Sequence, residues 1–478
     1  MEARSLRDFL EIPYSELEEL NLAAKEDRLT GVSPEQLEEK RRKYLTEEKR
    51  IKAVTICFTD LEGRMHMLDF DKKHLLRSAD NLTFDGSSIR GFSAQEESDL
   101  LLRLDWSAFY WMPADVFGPG KVLLFAEACH TDGAPYAADL RGRLRAYADT
   151  LQREKETVAF VSAEIEGFIF RGRNAEQRYG ETGAFEFVST SGYFHSLPND
   201  PLRRFMDQAA EVQRAMGFGN EKDHPEVAPS QFEMNYTYAP ALIAADQIQL
   251  YKLLCRQVAA NGDMTASFLP KPVMGINGSG MHTNISLAKG GKNLFFDPKG
   301  EERLSSVGWD FVERIIHAAS EISLVLNPSV NAYRRLDPAY EAPNQIKASA
   351  NNRGAMIRIP FANERGARIE VRSVAPDANP YLLLYTLLRT GLEGNPPKTD
   401  EEKRPRTRFL PGNIYDAMRQ FKGSKQTTEF LGEAIHGRYL DLKKAAADRC
   451  PRALGGRIKR SEVVFHHEVT NQLLWSRF

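Results

Sequence analysis

The chain has 478 residues, about three times the usual 150-residue domain, so two or more domains and a large buried core are expected. Its 64 Lys+Arg and 66 Asp+Glu nearly cancel to a formal charge of -2, which argues against a dedicated nucleic-acid binder. With 42% hydrophobic, 10% aromatic and 27% charged residues, the composition is that of an ordinary globular protein, far from disordered or collagen-like extremes.

In chain order, residues 1–46 read as a helical extension. The opening MEARSLRDFLEIPYSELEEL mixes acids and bases and lacks the apolar stretch of a signal peptide. Ser33-Pro34-Glu35-Gln36 supplies an N-cap, a proline at the first helical position and a capping-box glutamine, which predicts a helix over 34–44. Glu38 with Arg42 and Glu39 with Lys43 form i,i+4 pairs on its solvated face, and no chemistry-bearing cluster lies there. The extension is therefore expected to dock or to mediate assembly.

Residues 51–60 and 64–70 read as strands joined by a hairpin turn at Leu61-Glu62-Gly63, with further strands at 106–112 and 121–126. They define a small β-rich domain over 47–135. The remainder, 136–478, carries helical patterns at 140–154, 201–216 and 242–261 and a strand at 157–170. A charged, proline-rich loop at 395–408 precedes two or three further helices. Cys57, Cys129, Cys255 and Cys450 have no Cys-x-x-Cys spacing and read as buried thiols of a reducing compartment. No run approaches 18 uncharged apolar residues, so no membrane span is expected and the cytoplasm is the expected location.

The chemistry is carried by glutamates on strands. In AEIEGFIF (163–170), Glu164 and Glu166 are two apart, so a strand points both carboxylates to one face. A surface strand can show Glu-x-Glu by chance, but the apolar flanks here imply a largely buried strand, where charge is costly unless paired or metal-bound. Glu226 and Glu233 flank a Pro-Ser turn after His224, a pattern that a solvated loop also fits. Arg368, Glu370 and Arg372 alternate with β-branched residues, as they would on any strand with one solvated face. His282 closes the glycine-rich stretch from Gly275 to Gly280, and a lone histidine there suits a structural role as well as a ligand.

Five glutamates and one histidine together match the oxygen-rich shell preferred by Mg²⁺ or Mn²⁺, whereas zinc calls for more Cys and His. Arg334, Arg335, Arg353 and Arg358 add cations suited to phosphate or carboxylate substrates, which points to phosphoryl transfer. Neither a Walker motif nor G-x-G-x-x-G spacing is present, so a P-loop or Rossmann site is not expected.

The segments FDGSSIRGF (84–92), AEIEGF (163–168), HPEVAPSQFE (224–233), PKPVMGINGSGMH (270–282), NAYRRLDPAYEAP (331–343), NNRGAMIRIP (351–360) and RIEVRS with NPYL (368–382) resemble the glutamine synthetase family in its bacterial and archaeal type I form. The resemblance implies an α+β fold, with a small β-grasp-like domain and a large catalytic domain built from an antiparallel sheet and helices. It further implies a cytoplasmic, double-ring dodecamer without nucleic-acid or membrane partners. The implied reaction is ATP-dependent ligation of ammonia to L-glutamate through γ-glutamyl phosphate.

By position, Glu166, Glu226 and Glu233 would hold one Mg²⁺ or Mn²⁺ and Glu164, His282 and Glu370 a second. Arg335, Arg372, Asn277 and Gly278 would grip glutamate. Arg353 and Arg358 would stabilise the transferring phosphoryl group, and Tyr238, Ser286 and Arg368 would contact ATP. Asp85 and Ser88 of a neighbouring subunit would complete the ammonium site with Glu226 and Tyr193, and Glu341 would close over the intermediate. The chain departs from the family at Ser162-Ala163, Pro225, Asn351, Gly354 and Ala94, and the loop after Gly394 lacks a tyrosine segment, so neither adenylylation nor arginine-dependent feedback is implied. Two alternatives are a γ-glutamyl-amine ligase of the same superfamily and a catalytically silent relative, and the latter would have lost metal glutamates that are all present.

Overall fold

The computed structural model describes residues 11–337, 342–396 and 408–454, without the side chains of 449–454. Glu341, most of the proline-rich loop, Cys450's side chain and both chain ends lie outside the described residues.

Helix α1 (Tyr14–Leu29) precedes α2 (Pro34–Glu47), whose start is fixed by a reciprocal capping box. Ser33 Oγ accepts from the Gln36 N–H while Gln36 Oε1 accepts from the Ser33 N–H. The hairpin of β1 (Ala53–Thr59) and β2 (Met65–Asp71) follows as expected. Next come α3 (Lys72–Ser78), β3 (Thr83–Asp85), β4 (Asp99–Trp111), α4 (Ala114–Phe117) and β5 (Lys121–Cys129). The sheet order is β2-β1-β5-β4-β3, with β1 and β5 parallel and the other neighbours antiparallel, a β-grasp-like arrangement. Strand β4 begins well before the expected residue 106. Arg103 and Asp105 obscure its pattern, and both are paired in the fold, to Glu127 at 2.8 Å and to Arg141 at 2.7 Å.

The second part begins with α5 (Leu140–Lys155), β6 (Thr157–Arg171), α6 (Ala175–Thr182), α7 (Pro201–Ala215), β7 (Asn220–Pro225), β8 (Gln231–Tyr236) and β9 (Ala239–Pro240). It continues through α8 (Ala241–Asn261), β10 (Met264–Ser267), β11 (Met281–Lys289), β12 (Lys292–Asn293), α9 (Ser306–Leu326) and α10 (Val330–Arg335). After β13 (Gln345–Ser349), β14 (Ala355–Arg358) and β15 (Ile369–Val371) come α11 (Pro380–Glu393), α12 (Ile414–Gly423), α13 (Lys425–Leu431) and α14 (Glu433–Leu454). Its ten-stranded sheet runs β13-β14-β15-β11-β6-β8-β7 and is antiparallel except where β13 meets β14.

Strand β6 is the spine of this sheet. It pairs with β11 over its first half and then with β8 and β10. Val161, Ala163 and Ile165 are buried on one face, leaving the alternate residues for the other. Among the described residues no helix is long and apolar enough to cross a membrane, and Cys57, Cys129 and Cys255 are buried free thiols.

The extension is bound into the body of the chain. Asn21 is buried, its Nδ2 donating to the carbonyls of Leu17, Trp111 and Ala215 and its Oδ1 accepting from the Trp111 N–H. Gly217 (φ +74°) faces it so closely that a Cβ there would come within 2.9 Å of the Asn21 Cβ. Arg28 pairs at 3.1 Å with the fully buried Asp246, which also binds Arg141 at 2.8 Å and the Tyr381 hydroxyl at 2.8 Å. The hairpin turn is seated likewise: Asn379 donates to the Leu61 carbonyl and Gln249 to the Gly63 carbonyl. Replacing Asn21 by Ala leaves buried backbone groups of β4 and α7 unpaired, so the unfolding free energy is expected to fall by about 2–3 kcal/mol. Urea titration at fixed protein concentration checks this, and an unchanged midpoint would refute the docking.

Candidate active site

The site follows from sheet register. Residues directly opposite on neighbouring strands share a face, and so do residues two apart on one strand. Arg358 stands opposite Glu370, Glu370 opposite Asn284, and His282 opposite Glu164. On the other edge Glu166 stands opposite Glu233, and Glu233 opposite His224. One row across six strands therefore gathers four glutamates and two histidines on the face opposite the apolar one, and Glu226 joins them from just beyond β7.

Their ionisation reflects crowding. Burial alone would raise Glu164, but the hydrogen bond and charge of His282, with Asn284, outweigh it and hold the carboxyl at about 2. Glu166 is pushed up by burial and by Glu233, despite the opposing pull of His282 and Arg335 and the Gly280 N–H at 2.8 Å. Burial, followed by the Glu166 and Glu233 carboxylates, raises Glu226 to about 7. Burial opposes protonation of His282 and His224, yet their carboxylate neighbours raise both.

The donor set fits a hard divalent cation. Ligand atoms of Glu164, Glu233 and His282 lie within 4.8 Å of one another, as do those of His224, Glu226 and Glu233. The buried His224 Nε2 lies 3.5 Å from Glu233 without a hydrogen-bond partner. Glu370 is held beside them by Arg358 at 2.9 Å and Arg372 at 3.1 Å, with His282 at 3.8 Å. Distance thus groups Glu233 with both clusters, where the family resemblance assigns it to one.

A cavity of about 840 Å³ lies over this row. All six expected ligands line it, together with Asn277, Gly278, Arg335, Arg353, Arg358, Arg372, Tyr193, Tyr238, Ser286 and Arg368. Arg335 donates to the carbonyls of Val374 and Arg372, and burial lowers its guanidinium to about 10. A Cβ at Gly280 would come within 2.4 Å of the Arg335 Nη2 and 2.9 Å of the His282 Nε2, so a side chain there would displace these two groups. At the far end Tyr238 meets Phe160 edge-on at 5.5 Å, while Arg368 Nε donates to Asn284 Oδ1.

Asp85 and Ser88 do not line this cavity; they are exposed at the end of β3. Hydroxyl and backbone donors of Ser87 and Ser88 hold Asp85 at about 2. Glu341 lies outside the described residues; Ala342 and Pro343, which follow it in sequence, line the cavity. His224, Gln231, Asn235 and Asn284 also line the cavity and were not singled out from the sequence as site residues. Gln231 bonds the Gly278 carbonyl and Asn235 bonds Glu233. Their one sequence signal was spacing: His224 precedes Glu226 by two, and Asn284 follows His282 by two.

Known proteins share both parts. Residues 50–130 match the glutamine synthetase β-grasp domain and 137–455 the glutamine synthetase catalytic domain. Glutamine synthetase of Staphylococcus epidermidis is 35% identical over 422 residues, covering 84% of this chain and 93% of that protein. That of Thermus thermophilus is 35% identical over 419 residues with the same coverage. Among solved structures, ligand-free GmaS superposes with TM-score 0.76 at 26% identity, covering 88% of this chain and 99% of that one. Plasmodium falciparum glutamine synthetase, 20% identical, shares the fold with TM-score 0.76 over 87% of this chain and 96% of that one. The matches to both domains and to these glutamine synthetases make this chain an ATP-dependent ligase. It belongs to the glutamine synthetase family.

The crowding of Glu226 has a measurable consequence in metal-free protein. Between its ordinary value of 4.5 and about 7, the folded chain keeps a proton that the unfolded chain releases. Stability therefore falls as pH rises through that window, by at most about 1.4 kcal/mol per pH unit from this group. Glu226→Gln is expected to flatten the slope of urea midpoint against pH in the presence of chelator. Identical slopes in the two proteins would contradict the crowding.

Proposed function

We propose that the chain is a glutamine synthetase, forming glutamine from ATP, L-glutamate and ammonia through γ-glutamyl phosphate. The observation that carries the reading is the carboxylate row flanked by arginines in one cavity, on a chain whose family is established. Two Mg²⁺ or Mn²⁺ ions held by Glu166, Glu226 and Glu233 and by Glu164, His282 and Glu370 would neutralise the phosphates during in-line transfer.

The chain's own groups divide the remaining work. Arg335 and Arg372, with Asn277 and Gly278, bind glutamate and aim its side-chain carboxylate along the row. Arg353 and Arg358 offset charge on the transferring phosphoryl group. Tyr238, Ser286 and Arg368 bind ATP at the far end. The exposed, anionic Asp85 with Ser88 reaches the cavity of a neighbouring subunit in a closed ring, where with Tyr193 and Glu226 it binds ammonium, and Glu341 closes the site against water.

A second reading is ligation of a larger amine: Tyr193 in the cavity wall is half exposed, and the fold superposes on GmaS as well as on a glutamine synthetase. Phosphate release from ATP and glutamate separates the two. The glutamine synthetase reading expects ammonia to exceed every amine in a panel in kcat/KM, and a preferred amine would overturn it.

Shared sites make a separate prediction. Asp85→Ala and Glu370→Ala subunits, each inactive alone, should regain activity when co-refolded in equal amounts, because random placement leaves about a quarter of sites intact. No recovery in verified mixed rings would reject the shared site.

A further inference from the structure

The 361–367 loop forms a wall at the Tyr238 end of the cavity through Arg365, Gly366 and Ala367, just before Arg368. Its own bonds are confined to its second half, where the Gly366 N–H donates to the Asn363 carbonyl and Oδ1 and the Gly366 carbonyl accepts from Arg368, while Phe361 at its start is 82% exposed. Two side chains outside the cavity hold it. Asn293, at the end of β12, donates through Nδ2 to the carbonyls of Glu364 at 3.0 Å and Ala367 at 2.7 Å, while its Oδ1 accepts from the Phe295 N–H. The Arg303 guanidinium stacks over both Phe361, at 5.1 Å, and Phe296, at 5.4 Å.

Arg303 reaches that position through an unfavourable backbone. It and Glu302 both take left-handed dihedrals, φ +58° and +51°, in succession and without a glycine. The strained turn is closed by the Arg303 N–H on the Gly300 carbonyl and the Asp297 N–H on the Arg303 carbonyl. A conformation that glycine would adopt freely is occupied instead by the residue whose side chain clamps the loop, and strain of this kind marks a functional constraint when the side chain has such a task.

We propose that Asn293 and Arg303 are positioning residues for nucleotide binding, fixing the 361–367 loop against the ATP end of the cavity from outside it. The inference rests on the reading of that end as the ATP site. Cation–π stacking of a partly exposed guanidinium such as that of Arg303 corresponds to roughly a two- to fivefold change in affinity.

The test uses the full chain with Mg²⁺ and reads ADP binding by calorimetry beside steady-state kinetics. Arg303→Gly relieves the backbone, so its melting temperature should not fall, while the ADP dissociation constant and the KM for ATP should rise roughly two- to fivefold. The KM for glutamate and kcat should stay unchanged. Phe361→Leu should raise the same two quantities, and the double variant should add nothing further. Parental ADP affinity in Arg303→Gly would overturn the inference. So would a joint change of both KM values with a lower melting temperature, the mark of a purely structural role. If the unaltered chain turns over ATP and glutamate but Arg303→Gly matches it, only this inference fails; if it does not bind ADP at all, the ATP-site reading fails with it.

Discussion

Like-charge repulsion on one sheet face is the constraint around which this molecule is built. Glu164, Glu166, Glu233 and Glu370 are brought together by cross-strand register, and Glu226 is added from the adjoining loop. Two unit charges about 4 Å apart interact by about 4 kcal/mol at an effective dielectric near 20. Part of that cost is offset internally: His282 lies between Glu164, Glu166 and Glu370, and Arg358 and Arg372 flank Glu370. What remains shows as the raised Glu166 and Glu226, the condition in which a divalent cation gains most by displacing protons.

Holding such a row together calls for a rigid frame, and the frame is polar as well as apolar. Strand β6 carries Val161, Ala163 and Ile165 into the core directly behind its glutamates. Helix α8 supports it there, the Tyr251 hydroxyl donating to the Ile165 carbonyl at 3.2 Å. The same helix is fixed at Asp246 by Arg28, Arg141 and Tyr381, so the N-terminal extension and the helices behind the site meet at one buried carboxylate, and Arg141 links it on to Asp105 of the first sheet. Removing one partner of such a buried pair typically costs about 3–5 kcal/mol. The extension is thereby part of the protomer's own frame.

Much of the fold was legible because its signals are local. The capping box at Ser33, the alternation in β6 and the turn at Gly63 each act within a few residues, and each element formed where expected. The long start of β4 was not legible, because Arg103 and Asp105 look like surface residues until Glu127, Arg141 and Arg145 are brought to them from other elements. The docking of α1 was hidden for the same reason: Asn21 is an unremarkable helical residue until its amide meets the backbone of Trp111 and Ala215.

At the site, Glu164 and Glu166 were legible from their spacing together with the apolar flanks of their strand. Glu226, Glu233 and Glu370 entered the acidic set by residue type and were divided between two ions only by family resemblance, since nothing local says that their strands are neighbours. His224 and Asn284 share the face solely through register, which a single sequence does not display. Asn293 and Arg303 are further removed still, acting through a loop that itself only borders the cavity.

Divalent ions are the proposed occupants of the carboxylate row that the sheet register gathers. Anomalous diffraction from crystals of the full chain soaked in Mn²⁺ measures this directly. The account predicts manganese peaks within coordination distance of Glu233 and its neighbours Glu164, Glu166, Glu226, His282 and Glu370. Manganese found only elsewhere on the molecule, with this row empty at saturating concentration, would contradict it.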